Sequence, residues 1–297
     1  MEFVRTSESR FESLPGYAFT PHYVTELPGA PGLRMHYIDE GPADAEHTYL
    51  CLHGEPTWAY LYRKMLPVFT EAGGRVVAPD FFGFGRSDKP VEDHIYTFTF
   101  HRNTLLNFIE RLDLKRITLV CQDWGGLIGL TLPMEMPERF ARVLVMNTAL
   151  ATGEQPPSPG FEAWKAWVAT QHDLNVGNLM NRAVLGLTTD ELAAYDAPFE
   201  SARSKAGVRT FPQIVPVSPD MDGAALSKQA VGWWKNSWEG QSFMAIGMQD
   251  PVLGPSVMRR LHRVIRGCPE PFEVSEAGHF VQEHGVPVAQ AALEAWS

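Results

Sequence analysis

The sequence predicts an α/β protein built on a mostly parallel eight-stranded sheet flanked by helices, with a helical cap inserted after the sixth strand. Three observations carry this expectation. Short β-type runs alternate with longer helical patterns, the order that yields a sheet covered on both faces. One stretch of roughly 70 residues breaks the alternation with short helical patterns and prolines, too long for a structureless loop in a compact domain. The total of 297 residues suits one large domain carrying an insertion.

The elements follow in order. Strand patterns lie near residues 33–39, 49–53, 76–80, 117–122, 143–147, 242–247 and 272–275, each a short run rich in Val, Ile, Leu or aromatic residues. A helical pattern at 100–112 precedes the fourth of these, and another begins just after Trp124, where nothing breaks a helix until Pro133. The run Gly153-Glu154-Gln155-Pro156-Pro157-Ser158-Pro159-Gly160 opens the irregular stretch and excludes helix or central strand. Helical patterns follow at 161–170, 174–183, 189–195 and 198–205, and a proline-rich run at 211–219 leads back to the sheet. Residues 1–148 and 226–297 are thereby assigned to the core, and 149–225 to a helical lid.

Composition excludes several classes. A net charge of −10 opposes binding to nucleic acid or an anionic membrane. No run approaches the roughly 18–20 apolar residues of a membrane span, and the N-terminus does not read as a secretory signal. Cys51, Cys121 and Cys268 are too few and scattered for a disulfide framework and read as reduced thiols of a cytoplasmic protein. Neither a metal-ligand cluster nor a phosphate loop is present, so no metal or cofactor is expected.

The chemistry centres on Asp123. The strand pattern 117–122 runs into Cys121-Gln122-Asp123-Trp124-Gly125, and a helix starts at once. Small-x-nucleophile-x-Gly is the spacing of a nucleophile elbow, with Asp where Ser usually stands. Such a turn holds its central residue in a strained conformation at the carboxyl end of the sheet, where the next helix favours negative charge. Alone, Asp123 reads more readily as a helix cap, which needs no catalytic partner. Asp250 after the strand pattern 242–247 and His279 after the last strand supply its partners, in the chain order nucleophile, acid, base of α/β-hydrolases. A turn-forming Asp beside Pro251 and a surface histidine are the ordinary readings of these two; three coincidences at three strand ends are not ordinary. The turn His53-Gly54-Glu55-Pro56 offers the backbone N–H of Glu55, and the elbow that of Trp124, as an oxyanion hole.

At these residues the sequence resembles the haloalkane dehalogenases, in the subfamily whose catalytic acid follows the strand after the lid. The resemblance rests on His53-Gly54-Glu55-Pro56-Thr57-Trp58, Pro79-Asp80-Phe81-Phe82-Gly83-Phe84-Gly85-Arg86-Ser87-Asp88, Gln122-Asp123-Trp124-Gly125-Gly126 and Ala277-Gly278-His279-Phe280. It implies hydrolysis of small haloalkanes to alcohol and halide through an alkyl ester on Asp123; separately, the chain is expected to be a monomer. It implies that two indole N–H groups hold the halide, Trp124 beside the nucleophile and a lid tryptophan, for which Trp164 in Glu162-Ala163-Trp164-Lys165 fits the motif. Trp167 one turn later is an alternative, as is plain packing. The implied apolar wall comprises Leu127 after the elbow, Phe161, Phe211, Pro212 and Val215 in the lid, and Val252 and Leu253 after Asp250. Each of these equally suits ordinary core. Epoxide hydrolases share the Asp-Trp-Gly elbow but use two lid tyrosines, and this lid has only Tyr195. A homologue that binds without catalysis would be expected to have lost part of the triad.

Overall fold

The computed structural model describes the whole chain, Met1–Ser297. Eight strands form one sheet: β1 (His22–Thr25), β2 (Arg34–Glu40), β3 (Thr48–Leu52), β4 (Arg75–Pro79), β5 (Ile117–Gln122), β6 (Phe140–Met146), β7 (Gln241–Gly247) and β8 (Phe272–Val274). Their order across the sheet is β8-β7-β6-β5-β3-β4-β2-β1. The strands from β8 to β4 pair in parallel, while β2 and β1 are antiparallel. Every residue of β3 and β5 is buried, as expected of central strands covered on both faces.

Helices fill the crossovers: α1 (Leu66–Glu71), α2 (Phe98–Arg111) and α3 (Trp124–Gly129) before β6, then α8 (Ala224–Asn236), α9 (Pro255–His262) and α10 (Gly285–Ala295). Between β6 and α8 lie α4 (Pro159–Ala169), α5 (Val176–Ala183), α6 (Thr189–Asp196) and α7 (Ala206–Ile214). Helix α4 is capped by Ser158, whose hydroxyl accepts from Phe161 N at 3.1 Å and donates to Val252 O at 2.9 Å. One side chain thus starts the helix and ties it to the loop after β7.

Several elements depart from the sequence reading: the helical pattern at 198–205 forms only a short 3₁₀ turn, Ala202–Lys205, and α1, α8, α9 and α10 lie where the reading marks no helix. Residues 206–214 are helical although Phe211 and Pro212 stand in them. Proline removes one N–H, and the buried face of Val208 and Phe211 holds the short helix together. Strand β1, four residues pairing only with β2, is too short to announce itself in the sequence.

Candidate active site

Asp123 sits between the last residue of β5 and the first of α3, with φ +49° and ψ −125°. A non-glycine residue keeps this backbone only where its surroundings enforce it. Glycine makes the enforcement possible: a β-carbon at Gly125 would lie 2.0 Å from Leu52 O, and one at Gly54 would lie 2.5 Å from Asp123 Oδ1. Asp123 N donates to Asn147 O at 2.9 Å, and Thr148 Oγ1 donates to Asp123 O at 2.7 Å, so the end of β6 holds the turn from one side.

The three sequence-selected residues meet. His279 Nδ1 lies 2.8 Å from Asp250 Oδ2, and its Nε2 lies 3.6 Å from Asp123 Oδ2. Burial works to lower the His279 pKa, but the carboxylates of Asp250 and Asp123 outweigh it and hold the imidazole well above its usual range. Burial likewise opposes the Asp250 carboxylate. The charge of His279, with hydrogen bonds from His279, Asn147 and Val252 N, overcomes it and lowers the pKa to about 2. Asn147 was not selected from the sequence as a site residue. Its amide donates to Asp250 Oδ2 at 2.9 Å and to Gly247 O at 3.1 Å, and its carbonyl accepts from Gly247 N at 2.8 Å. It therefore fixes the acid and pins β6 to β7. Gln122 has a related role, donating to His279 O at 3.1 Å.

Glu55 N donates to Asp123 Oδ1 at 2.8 Å, which leaves Oδ2 turned to the imidazole. The Glu55 side chain is buried, and burial together with Asp123 pushes its pKa well above the carboxylate range. Its Oε1 has no hydrogen-bond partner.

A cavity of about 1270 Å³ opens over these groups. Trp124 and Trp164 line it and Trp167 does not. The indoles of Trp58, Trp234 and Trp238 spend their N–H groups on Ala194 O, Leu130 O and Ser242 Oγ, whereas those of Trp124 and Trp164 border the cavity. Leu127, Phe161, Pro212, Val215, Val252 and Leu253 belong to the wall. Phe211 does not. It is fully buried behind Trp124, ring centroids 4.7 Å apart, and supports that indole because α7 turns it toward the core. Tyr195 is also remote from the chemistry: its hydroxyl is buried and donates to Glu283 while accepting from Arg63. It offers no acid to a substrate in the cavity.

Known proteins share this arrangement of the chain. The family model for the alpha/beta hydrolase fold matches residues 50–286. A haloalkane dehalogenase of Psychrobacter cryohalolentis is 42% identical, the match spanning 99% of this chain and 98% of that one. One from Mycolicibacterium paratuberculosis is 40% identical over 100% and 98%. Among solved structures, the tetrameric haloalkane dehalogenase DpaA of Paraglaciecola agarilytica is 54% identical, with a TM-score of 0.97 over 99% of this chain and 98% of that one.

Proposed function

Because the chain belongs to the haloalkane dehalogenases, hydrolases of carbon–halogen bonds with the alpha/beta hydrolase fold, we propose that Asp123 is its nucleophile and His279 its base. The observation that carries this reading is the His279 ring suspended between Asp250 at 2.8 Å and Asp123 at 3.6 Å. Asp123 Oδ2 displaces halide from the substrate carbon in line, forming an alkyl ester. The indole N–H groups of Trp124 and Trp164 take the charge that collects on the departing halogen. Neutral donors suit this step, since a full positive charge would bind halide too tightly to release it.

Ester formation removes the charge of Asp123, and with it part of what holds the His279 proton. The imidazole can then deprotonate water, which attacks the ester carbon. Oδ1, already receiving the Glu55 N–H, becomes the oxyanion, with the backbone N–H of Trp124 as second donor. Alcohol leaves, and Asp123 is regenerated carrying one oxygen from water. The helical segment 149–225 serves as the lid that keeps bulk solvent from the ester.

Mass spectrometry of His279→Gln with 1-bromobutane tests the scheme. The expected result is one equivalent of bromide and a protein heavier by one butyl group, held on Asp123. Bromide release at many equivalents, or unmodified protein after release, would overturn it. All reacting groups come from one chain, so a monomer suffices for catalysis. The relative from Paraglaciecola is described as tetrameric, and light scattering measures the assembly of this chain.

A further inference from the structure

The cavity is larger than the reacting end requires. At about 1270 Å³ it exceeds the roughly 300–1,000 Å³ of ordinary ligand sites. Beyond the Asp250 loop it continues between two core helices. Val231 and Lys235, one turn apart, line it from α8; Val257, Arg260, Leu261 and Val264 line it from α9 and the turn that follows. At a rise of about 1.5 Å per residue, the α9 side runs for about 10 Å.

The floor of this extension is aliphatic and its rim is cationic. Lys235 and Arg260 are exposed and neither forms an ion pair, although their neighbours Lys228 and Arg259 do, with Glu154 and Glu273. Glu154, the carboxylate lining this end, is the one held by Lys228, at 2.5 Å. The remaining outer charges of the cavity, Arg182 on α5 and Glu276 after β8, are one of each sign. Residues 259–266 carry four arginines and no acid in a chain whose net charge is −10. Cations in the last turn of α9 answer its helix dipole. Lys235, in the last turn of α8, answers that helix's dipole in the same way, so two helix ends bring their cations to one cavity.

Building on the assignment of the reacting end above, we infer that the substrates of this enzyme include long alkanoates halogenated at the far terminus. The halogen-bearing carbon meets Asp123, the methylene chain lies along α9, and the carboxylate reaches Lys235 and Arg260. Each methylene that the aliphatic floor covers favours binding by up to about fourfold, and the cationic rim draws the anionic head to the mouth. The chemistry at the other end is unchanged: the carbon–halogen bond breaks as the carbon–oxygen bond to Asp123 forms. Water then yields the hydroxyalkanoate, with halide and one proton released.

The test compares 10-bromodecanoate with 10-bromo-1-decanol, which share chain and leaving group and differ only in head-group charge. At low ionic strength kcat/KM for the acid is expected to exceed that for the alcohol by roughly three- to tenfold, the size of one or two part-exposed ion pairs. The ratio should fall toward one in concentrated sodium sulfate, and below one when Lys235→Glu and Arg260→Glu are combined. No preference for the acid, or a preference untouched by the charge reversal, would overturn the inference. Bromide release from 1-bromobutane by the unaltered enzyme is read alongside. Its absence would remove the assignment of the reacting end instead, so the two failures are distinguishable.

Discussion

A carboxyl group buried beside a carboxylate holds its proton, because two negative charges at short range in a poorly solvated site are costly. Glu55 is so placed. Its replacement by glutamine, neutral and of similar shape, is therefore expected to keep kcat/KM within about threefold of the parent, under 1 kcal/mol of transition-state stabilisation. A loss beyond about tenfold would mean that a charge is needed there. The tryptophans give the opposite case. Trp164→Phe removes an N–H donor to a developing anion, a bond worth about 1.5–3 kcal/mol, so bromide release should slow by roughly ten- to a hundredfold. Trp167→Phe, outside the cavity wall, should release bromide near the parent rate. Equal effects of the two would remove the halide role from Trp164. The sequence exposes groups that reach substrate because their spacing is dictated by the turn they occupy: Asp123, Asp250 and His279 each follow a strand end. It conceals Asn147, whose use depends on a neighbouring strand that only folding brings alongside. It also misleads at Phe211, since an aromatic residue in a lid has the same composition whether it faces substrate or backs a tryptophan.

At the scale of elements, one ion cluster joins the lid to the core. Arg63 donates to both carboxylate oxygens of Glu283, at 2.7 and 3.0 Å, and to Glu191 on α6 at 2.7 Å; Tyr195, also on α6, donates to Glu283. Burial works against the Glu283 charge, and Arg63, Lys64 and Tyr195 outweigh it to hold its pKa below the usual range. Glu283 stands four residues after His279, so the cluster anchors the segment that carries the base. Removing one member of such a pair strands the other: Glu283→Ala should cost about 3–5 kcal/mol in urea denaturation. The double variant Arg63→Met, Glu283→Leu should recover much of that loss, since buried pairs yield well to apolar residues of similar volume. A single variant as stable as the parent would remove the anchoring role. None of this is legible in the sequence, where Arg63 follows an aromatic run and Glu191 and Glu283 stand more than a hundred residues beyond it. The strands were legible, because burial on both faces forces a continuous apolar run, and β5 occupies residues 117–122 as read. Helix α7 was obscured by Pro212, which local rules assign to a turn and tertiary burial overrides.

For the molecule as a whole, the acid limb of stability follows from groups that the fold keeps from binding protons. His101 on α2 is enclosed by Tyr96, Phe100 and Phe211, and neither ring nitrogen has a hydrogen-bond partner. Burial, with His53 adding to it, lowers its pKa to about 3. A histidine that binds protons near pH 6.5 when unfolded and only near pH 3 when folded favours unfolding as pH falls between those values. Its contribution is complete above the unfolded value and is lost at up to about 1.4 kcal/mol per pH unit on the way down. Asp250, held at about pKa 2, acts with the same sign but lower, beginning only near the ordinary carboxylate range. His279 acts oppositely: its raised pKa contributes stability below the unfolded value, lost as pH rises through the folded one. Between pH 6.5 and 5 His101 therefore opposes folding, whereas Glu55, its pKa raised by burial and Asp123, acts with the opposite sign. His101→Phe fills the same aromatic pocket without titrating. Urea denaturation of the variant should match or exceed the parent at pH 7.5 and gain on it steadily toward pH 5, while parallel curves for the two proteins would place the acid sensitivity elsewhere in the chain.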